Sequence, residues 1–483
     1  MNFTMIIKNL GILLMVEAAC MLPSLLVAII NNQYDIMAFI VTMMILIVVG
    51  LLMYCIPARN KNFYTRDGFA IVSLGWILVS LFGALPFYLS GAIPSYVDAL
   101  FETVSGFTTT GSTILREIES LPRGLLFWRS FTNWIGGMGV LVMMLAVLPA
   151  AGANTFHILK AESPGPDPGK LVPRIGQSAK ILYRMYISLS LVQVVMLLIA
   201  GMPLYDALIN TFSTAGTGGF SNMNTSIGAY NNVYYEIIIG LFMFLFGINF
   251  TLYFQALKGD IKNIIRDEEF RFYIFTVVGA IVLITCNLLG PVFGTIWESL
   301  RYSFFQVCSI ITTTGFSTTN FDVWPAFSKT ILIVLMFIGA SAGSTGGGIK
   351  CLRFLLLFKT IKREVRRIIH PKAVYTVKYG GKTVNGDVLF GVMNYFFVII
   401  IVFAVSLLLV SLDGFDLVSN FTAVAATINN IGPGLGIVGP MGNFADYSDL
   451  SKIVFSFAML FGRLEIYPML ILFAPTFWKR VNI

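Results

Sequence analysis

Four short glycine-centred segments recur along this apolar chain, and each follows a stretch of about helical length. Their central glycines are Gly111, Gly219, Gly315 and Gly432, at spacings of 108, 96 and 117 residues. Glycine allows the backbone dihedrals that turn a carbonyl oxygen inward, and rings of such oxygens can replace the water shell of a cation. A single Thr-Thr-Gly segment is usually an ordinary turn. Four copies behind short apolar segments predict a ring of loops that forms an ion-selectivity filter.

The residues before these glycines could ligate a cation or tie each loop to its surroundings. Threonine fills most of these positions in the first three segments, and asparagine fills two of them in the fourth. The candidate filter residues are Thr108, Thr109, Thr110 and Gly111; Thr217, Gly218 and Gly219; Thr312, Thr313, Thr314 and Gly315; and Asn429, Asn430, Ile431 and Gly432.

A second glycine-rich run, GASAGSTGGGIK, occupies residues 339–350 inside an expected membrane span. A continuous helix through so many glycines would be several kcal/mol less stable than one of alanine. We therefore predict a helix broken at mid-membrane, with a loop that crosses the pore below the filter, because irregular backbone at that depth must be buried or line water. The candidate gating residues are Gly343, Ser344, Thr345, Gly346, Gly347, Gly348, Lys350 and Arg463.

Two other interpretations of this run are a small-residue face for helix packing and a phosphate-binding loop. The phosphate-binding interpretation is weak, because Ile349 separates the last glycine from Lys350. Lys350 itself fits either a cation beneath the filter or an anchor at the cytoplasmic surface.

Arg463 is isolated within the last apolar segment of the chain. An arginine near the bilayer centre costs about 2.5–3.5 kcal/mol on insertion scales, so its side chain is expected to face the protein interior and a partner. Glu465 lies two residues further on, which places it on another helix face and makes it a poor intrahelical mate.

The elements that position these residues follow from composition: 57% of the 483 residues are hydrophobic and only 12% are charged. Such a chain is a polytopic membrane protein. The expected spans are Ile36–Ala58, Gly68–Val97, Ser130–Lys160, Met185–Tyr205, Ile237–Leu257, Phe272–Trp297, Thr330–Ile349 and Val388–Leu412. An earlier apolar stretch, Leu10–Ile30, carries only Glu17 and lacks a small-residue cleavage site, so we interpret it as a retained helix.

The basic residues predict the orientation of the chain. Most of the 32 Lys and Arg residues fall in alternate connecting segments, among them Lys8, Arg59, Lys61, Arg66, Lys479, Arg480 and the stretches 160–184, 258–271 and 350–382. The positive-inside rule places both termini in the cytoplasm. The net charge of +8 is then ordinary for cytoplasmic loops, and no nucleic-acid partner is implied.

This orientation puts the glycine-centred loops on the outer side with acidic residues nearby. The acidic residues are Asp98, Glu102, Asp206, Glu298, Asp413 and Asp416. They could concentrate cations at the mouth of the pore, or they could simply cap helices.

An internal repeat is visible in YVDALFETVSGFTTTG and YDALINTFSTAGTGG, where an aspartate precedes the filter glycine by 13 residues. Each repeat is expected to contain a helix, a short re-entrant helix, a filter loop and a second helix. The C-terminal ends of the short helices would direct partial negative charge toward the pore. We predict an all-α polytopic membrane protein with two N-terminal transmembrane helices (residues 1–67) and four pore repeats (68–172, 173–264, 265–382 and 383–483).

These motifs resemble the Trk/Ktr/HKT superfamily of potassium transporters, and specifically its TrkH-type bacterial subunit. The resemblance rests on the four loops in their order, AESPGPDPGKLVPRIGQSAK, GSTGGGIK at 343–350, GRLEIYP at 462–468 and the two extra N-terminal helices. It implies four pseudo-fourfold repeats around one pore, potassium as the ion at the filter residues, and the glycine-rich loop as the partner of Arg463. It also implies a homodimer in the bacterial cytoplasmic membrane, among lipid, controlled by a cytosolic nucleotide-binding subunit of the TrkA type.

In this superfamily, serine at the first filter glycine goes with sodium permeation and four glycines go with potassium. The present chain has four glycines, although Pro433 and Asn430 depart from the pattern of the other loops. The resemblance places no nucleotide-binding site on this chain.

An enzyme is not expected. The two histidines, His157 and His370, lie in expected cytoplasmic segments, and the five cysteines lack metal-ligand spacing, so neither catalytic residues nor a cofactor are predicted. A broken-helix secondary transporter for another cation or small solute is the alternative function. Repeats that all run the same way favour a pore. The prediction is therefore potassium uptake, either channel-like or coupled to sodium or protons.

Overall fold

The computed structural model describes residues 1–57, 65–139 and 175–478. The regular secondary structure of this part of the chain is helical, apart from one pair of two-residue strands. Six of its helices are long and apolar enough to span a membrane, or seven if one sharply bent pair counts as a span. The prediction of an all-α polytopic membrane protein is confirmed. Most of the expected span Ser130–Lys160, most of the stretch from Ala161 to Lys180, and Arg59, Lys61, Lys479 and Arg480 lie outside the described residues.

Two N-terminal helices pack side by side through small residues. They are α1 (Phe3–Ile30) and α2 (Ile36–Tyr54). A Cβ atom added to Gly11 would lie 2.6 Å from the carbonyl oxygen of Gly50, so the two backbones touch. Glycine at such crossings permits close helix approach in membranes. The α1 helix also packs on the helices that follow.

The next two helical units each contain a glycine-centred loop. The first unit comprises α3 (Thr65–Gly83), α4 (Leu85–Leu89), α5 (Tyr96–Phe107) and α6 (Arg123–Gly137). The second comprises α7 (Ile175–Ile199), α8 (Leu204–Gly216), α9 (Val233–Phe246) and α10 (Phe250–Leu257).

The last two units repeat this order. The third comprises α11 (Ile261–Arg266), α12 (Glu268–Leu288), α13 (Ile296–Ile311), α14 (Ala326–Ile338) and α15 (Cys351–Ile369), followed by the antiparallel strands β1 (Lys378–Tyr379) and β2 (Lys382–Thr383). The fourth comprises α16 (Gly386–Val410), α17 (Leu417–Ile428), α18 (Asp449–Arg463), α19 (Tyr467–Leu472) and α20 (Pro475–Trp478).

The short helices α5, α8, α13 and α17 lead directly into the four loops. They contain 12, 13, 16 and 12 residues, which is too few to span a bilayer. Three of them begin at an N-cap side chain, and these caps are Ser95, Thr295 and Asp416. The remaining one, α8, begins after Pro203, whose ring fixes the φ angle at a value that suits the start of a helix.

Glycines let the longer helices touch the ends of the short ones. A Cβ atom on Gly136 in α6 would lie 1.9 Å from the carbonyl oxygen of Phe107, the last residue of α5. The same relation joins Gly462 in α18 to the carbonyl oxygen of Ile428 in α17, at 2.0 Å. A larger residue at either glycine would push a short helix away from its position behind the loop.

One expected span is wrong as a single helix. The run Ile237–Leu257 forms α9 and α10, which meet at an angle of 91°. The side chain of Asn249 accepts a hydrogen bond from the backbone N–H of Thr251 and so starts the second helix.

The final helix is also interrupted, contrary to expectation. The α18 helix ends at Arg463 and α19 begins at Tyr467, and Glu465 and Ile466 between them have φ angles of +57° and +68°. Pro468 explains the break, because proline lacks the N–H that a continuous helix would need and clashes with the preceding turn.

Candidate ion filter and the loop beneath it

The four glycine-centred loops share one backbone conformation. The residue two positions before each glycine has a positive φ between +55° and +59°, and these residues are Thr109, Thr217, Thr313 and Asn430. The glycines themselves have φ between +68° and +101°, whereas the residue between has no positive φ. Alternating dihedral signs turn successive peptide groups the same way, which is the arrangement required of a carbonyl-lined filter.

The loops form a closed ring. A Cβ atom built on each glycine would run into the carbonyl oxygen of the residue before the glycine of the next loop. The contacts are Gly111 to Gly218, Gly219 to Thr314 and Gly315 to Ile431, each at 2.0 Å, and Gly432 to Thr110 at 2.8 Å. The fourth loop therefore returns to the first, and glycine is needed at all four positions both for its φ and for this contact.

The backbone N–H groups of the loops point away from the ring. In each loop the N–H before the glycine donates to the last turn of the preceding short helix, at 2.8 Å. The bonds are Thr110 to Ser105, Gly218 to Ser213, Thr314 to Ser309 and Ile431 to Ala426. These four N–H groups are satisfied within the protein, and the carbonyl oxygens of the loops remain available to an ion. The C-terminal ends of the short helices add partial negative charge behind them.

Threonine and asparagine side chains tie the loops to the protein. The hydroxyls of Thr108 and Thr110 lie 2.8 Å apart, and those of Thr312 and Thr314 repeat this contact at 2.8 Å. Only glycine fits at position 218, because a Cβ atom on Gly218 would lie 2.4 Å from the side chain of Asn133. These contacts favour the tying role for the hydroxyls over direct ligation.

All four glycines line one small cavity of about 70 Å³, on the side of the ring where the chain continues after each glycine. The described residues around it include Ser112, Ser221, Ser317 and Arg129, and none of them is acidic. A cation here would lie among hydroxyls, backbone groups and the guanidinium of Arg129, whose charge is paired with Glu102.

The acidic residues that were predicted near the mouth of the pore form ion pairs and hydrogen bonds within the protein. Asp98 forms an ion pair with Lys452 at 2.6 Å, Asp206 accepts a hydrogen bond from Asn222, and Glu102 is paired with buried Arg129. Glu298 accepts a hydrogen bond from Thr295, and Asp413 from the backbone N–H of Ser448. Asp416 caps α17, and its hydrogen bonds from Ser419 hold the pKa of its carboxyl below the ordinary value. Capping and pairing therefore account for the acids better than attraction of cations to the mouth.

The glycine-rich segment lies directly against the inner ends of the third and fourth loops. The backbone N–H of Gly347 donates to the hydroxyl of Thr313 at 2.6 Å. A Cβ atom on Gly347 would lie 2.8 Å from the carbonyl oxygen of Asn429, and one on Gly346 would lie 3.0 Å from that of Thr312. Side chains at these positions would not fit beneath the ring.

The bend between α9 and α10 supports this segment from the second unit. The N–H of Ser341 donates to the carbonyl oxygen of Gly247, and that of Phe250 donates to the carbonyl oxygen of Gly343, both at 3.1 Å. The hydroxyl of Thr345 donates to the carbonyl oxygen of Phe246. The unexpected bend thus has a clear structural use.

Arg463 supports the same segment from the fourth unit. Its guanidinium donates to the carbonyl oxygen of Thr345 at 3.0 Å, to that of Gly137 at 2.9 Å, and to that of Gly136. Gly136 and Gly137 end α6, where helix carbonyls lack intrahelical partners. One side chain therefore links three units.

Lys350 and Glu269 complete the surroundings of the segment. Lys350 is only 3% exposed, and its ammonium donates to the carbonyl oxygen of Gly346, so a surface anchor is excluded. Its φ of +81° places it in the left-handed region. Glu269, also buried, accepts a hydrogen bond from the N–H of Ala342 at 2.6 Å.

A family model described as "TrkH: Cation transport protein" matches residues 35–480 of the chain. This chain belongs to the TrkH family. Members of the family are ion transporters, so the prediction that the chain is not an enzyme is confirmed. The resemblance drawn from the glycine-centred loops is likewise confirmed.

Curated relatives match the chain over nearly its whole length. The Trk system potassium uptake protein TrkH of Salmonella typhimurium is 39% identical over 99% of this chain and 100% of the relative. The protein of that name in Vibrio parahaemolyticus is 40% identical over the same shares. The crystal structure of the potassium transporter TrkH from Vibrio parahaemolyticus superposes with a TM-score of 0.89 at 38% identity, covering 99% of this chain and 100% of that one.

Several residues at this TrkH-family site could not be predicted from the sequence. Arg129 and Asn133 of α6 and Glu269 of α12 were not singled out, because their roles depend on contacts far along the chain. Glu465, rejected as an intrahelical mate for Arg463, forms an ion pair with Arg353 at the start of α15. One feature of the sequence did indicate a partner: Glu465 is a second charged residue in the last apolar segment, and charged residues in such segments usually pair.

Proposed function

We propose that this chain takes up potassium ions across the bacterial cytoplasmic membrane through the ring formed by Gly111, Gly219, Gly315 and Gly432. The observation that carries the proposal is the closed contact between each glycine and the carbonyl of the next loop. A ring of backbone carbonyls can replace the hydration shell of a potassium ion. The curated relatives named above are potassium uptake proteins, which supports potassium as the transported ion.

In this proposal the carbonyl oxygens of the predicted filter residues coordinate ions at successive positions along the pore. These residues are Thr108–Gly111, Thr217–Gly219, Thr312–Gly315 and Asn429–Gly432. Their side chains maintain the spacing of the loops, and no nucleotide or other cofactor acts on this chain.

The segment Gly343–Gly348, with Lys350 and Arg463, serves as the gate. Its contacts with Thr313 and with the carbonyl oxygen of Asn429 support a role in obstructing passage on the inner side of the ring. The cations of Lys350 and Arg463 bind its carbonyl oxygens and also raise the electrostatic barrier to a passing ion. Opening requires the segment to leave this position.

A cytosolic nucleotide-binding subunit of the TrkA type controls that movement through α15, which continues from the gate. Lys350 and Arg353 are buried, so the exposed part of the helix, with Lys362, Arg366 and Arg367, carries the contact. The predicted cytoplasmic termini place α15 on the side of the regulator.

The protein acts as a homodimer of four-repeat subunits, with the repeat boundaries given above. Exposed apolar side chains along α16, such as Phe397 and Leu408, suit contact with lipid or with a second copy.

Flux in proteoliposomes tests the function. Purified protein should carry potassium or rubidium down a gradient, with competition from other alkali cations and none from amino acids or sugars. Reversal potentials under potassium, sodium and proton gradients in turn should report potassium selectivity. Saturable uptake of an organic solute, with no alkali-cation flux, would instead support the alternative of a broken-helix secondary transporter.

A further inference from the structure

Glu102 holds the outer end of the first loop. It lies in α5, nine residues before Gly111, and its carboxylate is buried. It accepts hydrogen bonds from the hydroxyl of Thr113 at 2.9 Å and from the backbone N–H of Ile114 at 3.0 Å. Thr113 and Ile114 follow the filter glycine by only two and three residues.

Arg129 holds the outer end of the second loop. Its Nε donates to Glu102 at 2.6 Å, and its Nη1 donates to the carbonyl oxygen of Ser221 at 2.9 Å. Its guanidinium carbon also lies 3.6 Å from the ring centroid of Phe220. Phe220 and Ser221 are the two residues directly after Gly219, so one buried ion pair joins two neighbouring loops at their outer ends.

Among the described residues, no buried ion pair holds the third or the fourth loop in this way. The positions equivalent to Glu102 in the second, third and fourth loops hold Asn210, Gln306 and Ala423. The outer end of the third loop is held by neutral donors, since the hydroxyl of Ser309 donates to the carbonyl oxygen of Phe316 at 2.6 Å. In the part of the chain that the structure describes, the buried charged connection thus joins the first and second loops, whereas the pair between Arg116 and Asp446, after the first and fourth glycines, is exposed.

We propose that Glu102 and Arg129 are positioning residues for ion selectivity, because their ion pair sets the separation of Gly111 and Gly219 in neighbouring loops of the ring. The proposal rests on the filter function proposed above. Charge-assisted hydrogen bonds are shorter and stronger than neutral ones, so the pair defines the loop positions more tightly than hydroxyls would. A buried ion pair is weak evidence for a role in stability, which makes a role in positioning the better explanation.

Glutamine cannot replace Glu102 without moving a loop. Three donors, from Arg129, Thr113 and Ile114, converge on its two carboxylate oxygens. An amide offers one acceptor oxygen and presents its own N–H groups to the remaining donor. The loop end at Thr113 must therefore shift.

The decisive measurement is the potassium-to-sodium permeability ratio, taken from reversal potentials in reconstituted bilayers. Glu102→Gln should lower the ratio about tenfold, equivalent to about 1.4 kcal/mol of lost discrimination. Thr113→Val leaves both charges in place but removes the hydroxyl that donates to Glu102 and accepts from the N–H of Leu115 at 3.0 Å. It should lower the ratio about threefold, equivalent to about 0.7 kcal/mol.

Glu236→Gln is the matched control. Glu236 is also buried and accepts two hydrogen bonds of 2.6 Å from Arg301, but this pair joins α9 to the outer part of α13 and does not contact a filter loop. The variant should lower the melting temperature while leaving the permeability ratio unchanged. An equal fall of the ratio in Glu236→Gln and Glu102→Gln would overturn the proposal.

Gly111→Ser, measured in the same preparations, separates this proposal from the filter itself. If Gly111→Ser alters the ratio while Glu102→Gln and Thr113→Val do not, the ion pair is only structural and the filter stands. If Gly111→Ser also leaves the ratio unchanged, the filter assignment fails and this inference fails with it. Should Glu102→Gln not fold, Thr113→Val decides the matter.

Discussion

Asn430 in the fourth loop donates a side-chain hydrogen bond to the hydroxyl of Thr110 in the first loop, at 2.9 Å. The same amide donates to the carbonyl oxygen of Met459 in α18, also at 2.9 Å. The other three loops have threonine at the position of Asn430. Asn430 thus joins the last loop of the chain to the first, because its amide side chain is longer than that of threonine and extends to both partners.

We expect Asn430→Thr to weaken this connection. Threonine keeps the local residue type of the other loops but loses the two hydrogen bonds that the amide donates to Thr110 and Met459. At about 0.5 to 1.5 kcal/mol each, this loss should lower the free energy of unfolding by about 1 to 3 kcal/mol. Thermal unfolding in detergent measures the change. Asn232→Thr, at an exposed helix cap, is the control and should have a much smaller effect. Equal stability of the two variants would show that the connection contributes nothing.

The filter loops could be predicted from the sequence because each glycine and its neighbours form a local pattern that repeats four times. The break before Lys350 was predictable for a similar reason, since consecutive glycines act locally on helix stability. The bend at Gly247 was missed because one glycine in an apolar run is usually tolerated in a helix. Only Asn249 marked it.

Contacts between distant segments could not be predicted in the same way. Arg463 was expected to need a partner, but its bonds to Gly136 and Gly137 join residues more than 300 positions apart. The sequence alone predicts that Glu102 faces the mouth of the pore. Its carboxylate instead faces Arg129, and no local sequence pattern relates these two residues. Burial and pairing are properties of the packed structure.

Serine substitutions at the four filter glycines should differ in severity. A Cβ atom would lie 2.0 Å from a carbonyl oxygen at Gly111, Gly219 and Gly315, but 2.8 Å away at Gly432. We expect the potassium-to-sodium permeability ratio to fall about tenfold or more at the first three positions, which corresponds to about 1.4 kcal/mol, and less at Gly432. Reversal potentials measure the ratio. Gly391→Ser, with open space around it in α16, is the control. Wild-type ratios in all four filter variants would refute the filter assignment.

The exposed part of α15 should bind the cytosolic regulator. Replacing Lys362, Arg366 and Arg367 together by glutamate should reduce regulator binding about tenfold or more, while the potassium-to-sodium permeability ratio stays unchanged, because three exposed cations reverse sign far from the filter. Titration of the reconstituted transporter with the regulator measures binding. Arg116→Glu, at an exposed pair on the predicted outer side, is the control. Unchanged binding in the triple variant would place the contact elsewhere.

Arg463→Gln should open the gate without changing selectivity. The guanidinium binds carbonyl oxygens of both the glycine-rich segment and α6, and an amide cannot span the two. We expect basal potassium flux without the regulator to rise about tenfold, equivalent to about 1.4 kcal/mol of lost closed-state stabilisation. In Arg463→Lys the basal flux should rise less, because lysine keeps the charge although it lacks the planar fork of donors.

Shortening the segment Gly343–Gly348 should raise basal flux by a similar amount, since the same obstruction is removed. Combining it with Arg463→Gln should add little, because both changes disable one interaction. Rubidium uptake into proteoliposomes measures the basal flux of the shortened protein, of Arg463→Gln and of their combination. Reversal potentials should show the wild-type permeability ratio in all three, because other residues form the filter. A shortened protein that inserts correctly yet conducts less than wild type would mean that the segment supports the ring from below and that the gate lies elsewhere.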